Sequence, residues 1–405
     1  MSLKLRDRAV PRRASLDALL THAWSEDVVT AATAMDAVGL ARSTTIEGID
    51  GLVALGLLRE LPNARAVGDY RKGRPSRRFE LCADAAVVVG VDAGRSHLVT
   101  TVADLRGVPI ITRTTDTAVP ADAPVGAGDS ADIRRHVIAA AVDAALAEAG
   151  RARPDVLAVC VGVPAPVDRH GRSPVHRDGF WQRMNPDLKD LFSTWAPIVR
   201  VENDATLASV AEHARGAAVG LRDTVTLLAG ERLGAGVVVD GRLLRGAHGG
   251  VGEVVVLRRL KGVKDVPGLA YMLVARAREQ IGAGALPVGH PLRELGRDAV
   301  TAPDVVELAR SGDPQAQAIV EEVGRVLARI AGVFCSLFDP ERIVIAGGAA
   351  NGLDGVIDVA RRRLPQELDL PAAEIVASSL GADVVSIGAV AAAVEAARDG
   401  ALHIA

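Results

Sequence analysis

The chain has 405 residues, enough for two or three ordinary domains, and its 49% apolar content excludes a disordered polymer. Aromatic residues make up only 2%, so the cores must be built from Val, Leu, Ile and Ala. The start lacks a basic segment followed by an apolar run, and no stretch of about 18 apolar residues occurs, so we expect a soluble, cytoplasmic protein without signal peptide or membrane span. Cys82, Cys160 and Cys335 are far apart and form no CxxC pair, which fits a reducing compartment and not a cysteine-bound zinc site. The net charge of −3 is unevenly spread: residues 1–80 carry 13 Lys/Arg against 10 Asp/Glu, and six of those bases fall within 65–78. A basic segment on a mildly acidic chain suggests a local polyanion contact, with a solvated surface loop as the alternative.

Taken in chain order, Ser15 to His22 reads as a short helix with Leu16, Leu19 and Leu20 on one face. Thr30 is an N-cap for a helix through Val38, and Gly39 follows where positive φ ends it. Ser43 is a second N-cap. The helix after it buries Ile46, Ile49, Leu52 and Val53 and turns Arg42, Thr44, Thr45, Glu47 and Asp50 outward. Two short helices joined by a Gly-containing turn are the helix-turn-helix signature, whose second helix enters the DNA major groove. Leu55 to Glu60 leads into a strand and Arg77 to Leu81 returns as its partner, a hairpin wing tipped by Gly73, Arg74 and Pro75. The DNA-binding candidates are Arg42, Ser43, Thr44, Thr45, Glu47, Arg71, Lys72, Arg74 and Arg77. A three-helix interaction domain that never meets DNA is the alternative.

Beyond residue 85 the pattern becomes strand-rich. Strands are expected at Ala86–Val91, Leu98–Ala103, Val108–Thr112, Val156–Val161 and Val199–Val201, with helices at Ile133–Ala149 and Ala205–Ala214. A second half echoes the first. Strands lie at Thr224–Ala229 and Ala235–Val239, an Asp240-Gly241 hairpin leads to Arg242–Leu244, and a helix covers Pro314–Leu337. A strand at Arg342–Ala346 and a closing helix at Val384–Ala397 complete it. Two lobes around a cleft follow, and ligands of such sheets bind outside the carboxyl ends of the strands, where Asp92, Gly162, Asn203, Asp204 and Gly347 fall. The expected domains are 1–84, 85–204 with a closing helix at 383–402, and 205–382.

The run Gly241 to Glu253, the Glu202-Asn203-Asp204-Ala205 motif, Val161 to Pro164, Ile345 to Gly348 and the Asp92-x-Gly94 turn together resemble the ROK family of sugar-responsive repressors and sugar kinases. The match runs over almost the whole chain, and the wing with its Gly-Arg-Pro tip looks like the xylose-repressor and N-acetylglucosamine-repressor branch. The resemblance implies an α/β fold: a winged helix-turn-helix followed by a two-lobed, actin-like and hexokinase-like domain of duplicated ribonuclease H-like halves. It implies that Asp204 is the position of the kinases' general base, and that Asn203, Glu253, Gly162 and His176 line a sugar site. From the residues alone, Asp204 is equally an N-cap carboxylate, and His176 with Asp178 equally a solvated loop.

Three departures bear on activity. Arg95 and Ser96 stand where the family kinases place a second glycine and a Thr in the first phosphate loop, and Gly230-Glu231-Arg232 replaces Gly-Thr-Gly in the second. Asp92, Gly94, Gly230, Gly234, Gly347 and Gly348 are then vestiges of nucleotide loops, because Glu231 repels a triphosphate unless Arg232 neutralises it. Val256 replaces the family's sugar-touching, zinc-ligating His, and no Cys or His follows through Ala270. We therefore expect no zinc, no ATP or Mg, and no other cofactor. The expected partners are operator DNA, a small sugar effector and a second copy of the chain in a homodimer or homotetramer, with no membrane contact. The competing expectations are a working ATP-dependent sugar kinase with an accessory N-terminal domain, and a DNA-binding protein whose large domain only dimerises.

Overall fold

The computed structural model describes residues 13–62, 76–116, 131–260, 263 and 267–403. The first elements are α1 (Arg13–Ser25), β1 (Val29–Thr30), α2 (Ala31–Val38), α3 (Arg42–Ala54), β2 (Leu58–Leu61) and β3 (Arg78–Leu81). Thr30 accepts from the Thr33 N–H and Thr33 returns the bond to the Thr30 N–H, a capping box that stabilises α2 by about 1 kcal/mol. Gly39 closes the helix at φ 70°. The strands form an antiparallel sheet in the order β1-β3-β2, with Leu58 opposite Leu81 and Leu61 opposite Arg78. This is a winged helix-turn-helix. The wing residues 63–75, and with them Arg71, Lys72 and Arg74, lie outside the described residues.

Three sequence expectations need correction here. α1 runs three residues further than expected at its C-terminal end because Ala23 and Trp24 continue its buried stripe. α3 starts at Arg42, with Ala41 as an N-cap that makes no side-chain bond; Ser43 is exposed in its first turn and caps nothing. Thr45 is fully buried and donates its hydroxyl to the Ala41 carbonyl, so it faces the core with Gly48, Ile49 and Leu52. The pattern was misread because Thr45 is polar by type yet satisfies its own hydroxyl within the helix.

The large domain holds two five-stranded sheets with the same topology. The first is β4 (Val87–Ala93), β5 (His97–Asp104), β6 (Pro109–Asp116), β7 (Val156–Val163) and β8 (Ile198–Asn203), in the order β6-β5-β4-β7-β8. The second is β9 (Thr224–Ala229), β10 (Leu233–Val239), β11 (Arg242–Leu243), β12 (Arg342–Ala346) and β13 (Glu374–Ala377), in the order β11-β10-β9-β12-β13. In each, three antiparallel strands precede two parallel ones. The β10–β11 turn places Asp240 at φ 57° and Gly241 at φ 73°, the positive pair that a two-residue hairpin requires.

The helices are α4 (Ala131–Glu148), α5 (Phe180–Met184), α6 (Leu188–Ser193), α7 (Asp204–Arg215), α8 (Leu269–Gly282), α9 (Pro291–Leu295), α10 (Ala302–Arg310), α11 (Pro314–Phe338), α12 (Asp354–Arg363) and α13 (Val384–Gly400). The sequence reading did not include α5, α6, α8, α9, α10, α12 or β13. α7 and α13 pack against each other between the lobes. The core around them is continuous with that of the N-terminal unit, running from Leu19, Trp24 and Leu52 through Leu105 to Ala208 and Ala389. Each fully buried leucine of that shared core contributes about 2 kcal/mol of transfer free energy, so the winged-helix unit is fixed on the first lobe and not loosely tethered. Among the described residues no helix is long and apolar enough to cross a membrane.

Candidate functional sites: a recognition helix and an inter-lobe cleft

On the N-terminal unit, α3 presents Arg42, Ser43 and Glu47 to solvent, with Thr44 half-buried beside them. The helix N-terminus adds a partial positive charge, so this surface suits a phosphate backbone. Arg77 departs from the role expected of it. Its guanidinium reaches Asp50 of α3 at 2.8 Å and Glu60 of β2 at 2.8 Å, and it lies over the Phe79 ring at 4.8 Å. Those hydrogen bonds, Glu60's first, raise its affinity for its proton. Arg77 therefore ties the wing to the recognition helix, and two carboxylates compensate its charge.

The cleft is built at the carboxyl ends of the strands. Asp92 lies one residue before the end of β4, Gly162 one before the end of β7, Asn203 ends β8, Asp204 opens α7, and Gly347 and Gly348 follow β12. Asn203 is the cap of α7: its Oδ1 accepts the Thr206 N–H at 3.1 Å while its Nδ2 donates to the Ala165 carbonyl at 3.2 Å. This corrects the alternative in which Asp204 caps the helix. It also leaves Asn203 one lone pair and one N–H for a ligand. Freed from capping, Asp204 accepts the adjacent Ala205 N–H at 2.7 Å and its own backbone N–H. Burial pushes its carboxyl up to about 7 against those bonds, and the charges of Asp92 and Glu253 push the same way.

His97 donates toward Asp92 across 3.2 Å. That bond raises the imidazole pKa against the effect of burial, helped by Asp92, Glu231 and Asp204. Glu253 is raised by desolvation and held back by the charges of Arg232 and His176. His176 bonds Asp178 through Nδ1 and sits 4.3 Å from the Trp181 ring, while Asp178 also accepts the Phe180 N–H at 2.9 Å. These bonds brace the loop from within, while Val175, Arg177 and Asp178 stay exposed to solvent. Asp204 feels the charges of Asp92 and Glu253, and its buried carboxyl is placed to accept a hydroxyl proton or hydrogen bond.

The glycines at the second lobe have packing reasons. Gly252 adopts φ 86°, and a Cβ there would stand 1.8 Å from the Ala235 carbonyl; one at Gly249, at φ 69°, would stand 1.9 Å from that of Val167. Gly234 faces the Ala205 Cβ of α7, and Gly94 faces the His97 ring. The turn at Gly230 is backed by Gly268, whose added Cβ would meet the Gly230 carbonyl at 1.7 Å. The loop Gly246–Gly252 thus lies against both lobes and carries Glu253 into the cleft.

The two turns expected to flank phosphates are bridged by an ion pair, Arg95 to Glu231 at 3.5 Å. The sequence left open whether Arg232 neutralises Glu231. Arg232 instead leans over Phe180 at 5.8 Å and acts on Glu253. Val256 is 65% exposed and offers no ligating atom, and among the described residues no group of three His, Cys, Asp or Glu could hold a metal; the residues here do not fit zinc. One functional contact was missed by sequence reasoning altogether. Arg245 of the second lobe grips Glu202 of β8 at 2.8 and 3.1 Å, joining the lobes behind the cleft. Its signal was available as an Arg inside the Gly241–Glu253 run and a Glu beside Asn203.

The architecture matches known proteins closely. A bifunctional enzyme NanE/NanK of Brucella melitensis is 33% identical over 222 residues, covering 52% of this chain and 40% of its own. This chain thus spans less than half the length of the curated relatives it matches first. The crystal structure of a ROK family transcriptional regulator homologous to the E. coli MLC protein superposes with a TM-score of 0.75, 19% identity, and 96% and 98% coverage of the two chains. A ROK family glucokinase from Streptomyces griseus, solved with glucose and AMPPNP, superposes with a TM-score of 0.61 at 26% identity and covers 76% of this chain and all of its own. With the ROK family model matching residues 88–255 and 288–396, this chain belongs to the ROK family.

Proposed function

We propose that this protein is a sugar-responsive DNA-binding transcription regulator of the repressor branch, whose kinase activity has been lost. The observation that carries the reading is a winged helix-turn-helix sharing one hydrophobic core with a ROK lobe, its α3 N-terminus exposed. Arg42, Ser43, Thr44 and Glu47 would meet base edges and phosphates, with Arg71, Lys72 and Arg74 supplying further phosphate or minor-groove contacts. A second copy of the chain would supply the other half-site.

In the cleft, Asp204, Glu253, the free valences of Asn203, the backbone at Gly162 and His176 suit a polyol, which needs several acceptors at once. The Arg95–Glu231 pair and Glu231's charge do not fit a triphosphate, so no phosphoryl transfer is assigned to the site. Sugar binding acts by preferring one lobe arrangement over another, and it shifts DNA affinity only by that difference. A sugar kinase is the second reading. Asp204, with a pKa near 7 inside the cleft, favours it as a general base. Fluorescence anisotropy on the duplex upstream of its own gene, alongside a coupled ATPase assay over a sugar panel, separates the two. Salt-sensitive DNA binding without turnover is expected. Sustained turnover that disappears in Asp204→Ala contradicts the regulator reading.

A further inference from the structure

The DNA-binding unit is held on the first lobe at both ends of α1. At one end the Arg13 guanidinium donates to the Leu402 carbonyl at 3.0 Å, in the turn that follows α13. At the other end, Trp24 buries its indole and donates Nε1 to the Leu105 carbonyl at 2.8 Å. Arg106, next in the same turn, reaches the carbonyls of Trp24 at 3.2 Å and Glu26 at 2.7 Å, the end of α1 where a cation is favourable. The turn itself is stiff. Asp104 Oδ1 accepts the N–H groups of Arg106 and Val108, both at 2.9 Å.

The same turn is held from below by the helix that begins in the cleft. Arg215, the last residue of α7, donates to the Gly107 carbonyl at 3.0 Å. α7 is about 18 Å long, opens with Asp204 and is rigid over that length. It also touches both lobes. A Cβ on Gly236 of β10 would stand 2.5 Å from the Ala205 carbonyl, and one on Gly388 of α13 would stand 2.0 Å from the Leu207 carbonyl. A helix in backbone contact with both sides cannot stay unmoved when the lobes move. At the far end, α1 packs on the recognition helix through the Leu19 side chain, whose Cδ1 would stand 2.3 Å from a Cβ on Gly48.

We propose that α7 and the turn Asp104–Val108 form the joint through which the cleft sets the orientation of α1 and the recognition helix, with Arg215 and Arg106 as its positioning residues. This deepens the regulator reading and takes its biological sense from it, but the test below requires no DNA. Coupling of this kind is carried by packed, rigid elements with two arrangements, and it must be measured and not inferred from adjacency.

Hydrogen exchange on the full chain, read at residues 19–28, is the measurement. The cleft is perturbed in two ways: by D-glucose in large excess, with occupancy read at residues 203–207, and by Asp204→Asn, which relieves the repulsion from Asp92 and Glu253. Either perturbation is expected to change protection at residues 19–28 by about threefold or more in the otherwise unaltered chain. In Arg215→Ala the response falls to less than about 1.5-fold, and Arg215→Lys recovers part of it. Arg106→Ala serves as an independent second variant, and Arg113→Ala, at an exposed pair with Glu148, as a control that keeps the response. A merely structural role would lower the starting protection and leave the response intact. A response undiminished in both Arg215→Ala and Arg106→Ala, or none to either perturbation in the unaltered chain, overturns the proposal. Failure of the unaltered chain to bind DNA would instead count against the regulator reading alone.

Discussion

The two walls of the cleft make a contrast. On the wall where α7 begins, Asp204 holds only local backbone N–H groups, and burial pushes its pKa up to about 7. At the mouth, where a nucleotide's phosphates would lie, Arg95 and Glu231 satisfy each other. The spare N–H and lone pair of Asn203, near the His176–Trp181 contact, suit the ligand-holding role proposed for this part of the cleft. The Arg95–Glu231 pair suits no such role for a triphosphate.

The largest effect that could break this contrast lies at Gly249. Gly249→Ala adds a Cβ 1.9 Å from the Val167 carbonyl at positive φ and is expected to lower stability by about 2–4 kcal/mol, read by chemical denaturation, with loss of sugar response. An unchanged midpoint would show that the loop does not lie against the first lobe. Next, Asp204→Asn should weaken sugar affinity about 10- to 100-fold, because a hydrogen bond to a charged acceptor is exchanged for a weaker one. The pH dependence sharpens the point. Folding raises the Asp204 pKa from the usual carboxylate range to about 7, so the folded state holds that proton more tightly. Its contribution to stability is complete below the unfolded pKa and is lost as pH rises through about 7. Over the same window sugar binding tightens, since hydroxyl groups donate to the carboxylate. A calorimetric titration that is flat across this window in the unaltered protein would remove Asp204 from the site. Smallest is Arg95→Ala. It breaks an exposed ion pair and should change stability by less than about 1 kcal/mol, while leaving nucleotide affinity undetectable. Nucleotide binding that appears in Arg95→Ala alone would show that the pair, and not Glu231's charge, was the barrier.

Much of this was readable in the sequence where local rules decide. Thr30 and Gly39 bound α2 as expected, and Asp240-Gly241 made the expected hairpin, because caps and two-residue turns are set by a few neighbouring atoms. β9 and β12 matched their predicted limits because both are runs rich in β-branched and apolar residues bounded by turn glycines, Gly230 and Gly347. β13 was missed because Glu374–Ala377 is a four-residue edge strand, too short to show a period. At the site, strand-end positions led to Asp92, Asn203 and Asp204, but which of Asn203 and Asp204 caps α7 depends on side-chain geometry that residue type does not encode. Thr45 and Arg77 were misassigned for a related reason. A threonine that bonds its own helix and an arginine that meets two distant carboxylates look, in one dimension, like surface groups. The joint between Arg215, Arg106 and Trp24 has no sequence signature, because its partners are backbone carbonyls 80 or more residues away.

The account rests on a cleft that controls a DNA-binding face, and a paired titration tests it most directly. The upstream duplex is titrated by anisotropy with and without a sugar shown to raise the melting temperature, in the unaltered chain and in Asp204→Asn. The account predicts that the sugar changes DNA affinity about tenfold in the former and leaves it unchanged in the latter. Equal affinity with and without bound sugar in the unaltered chain would contradict it.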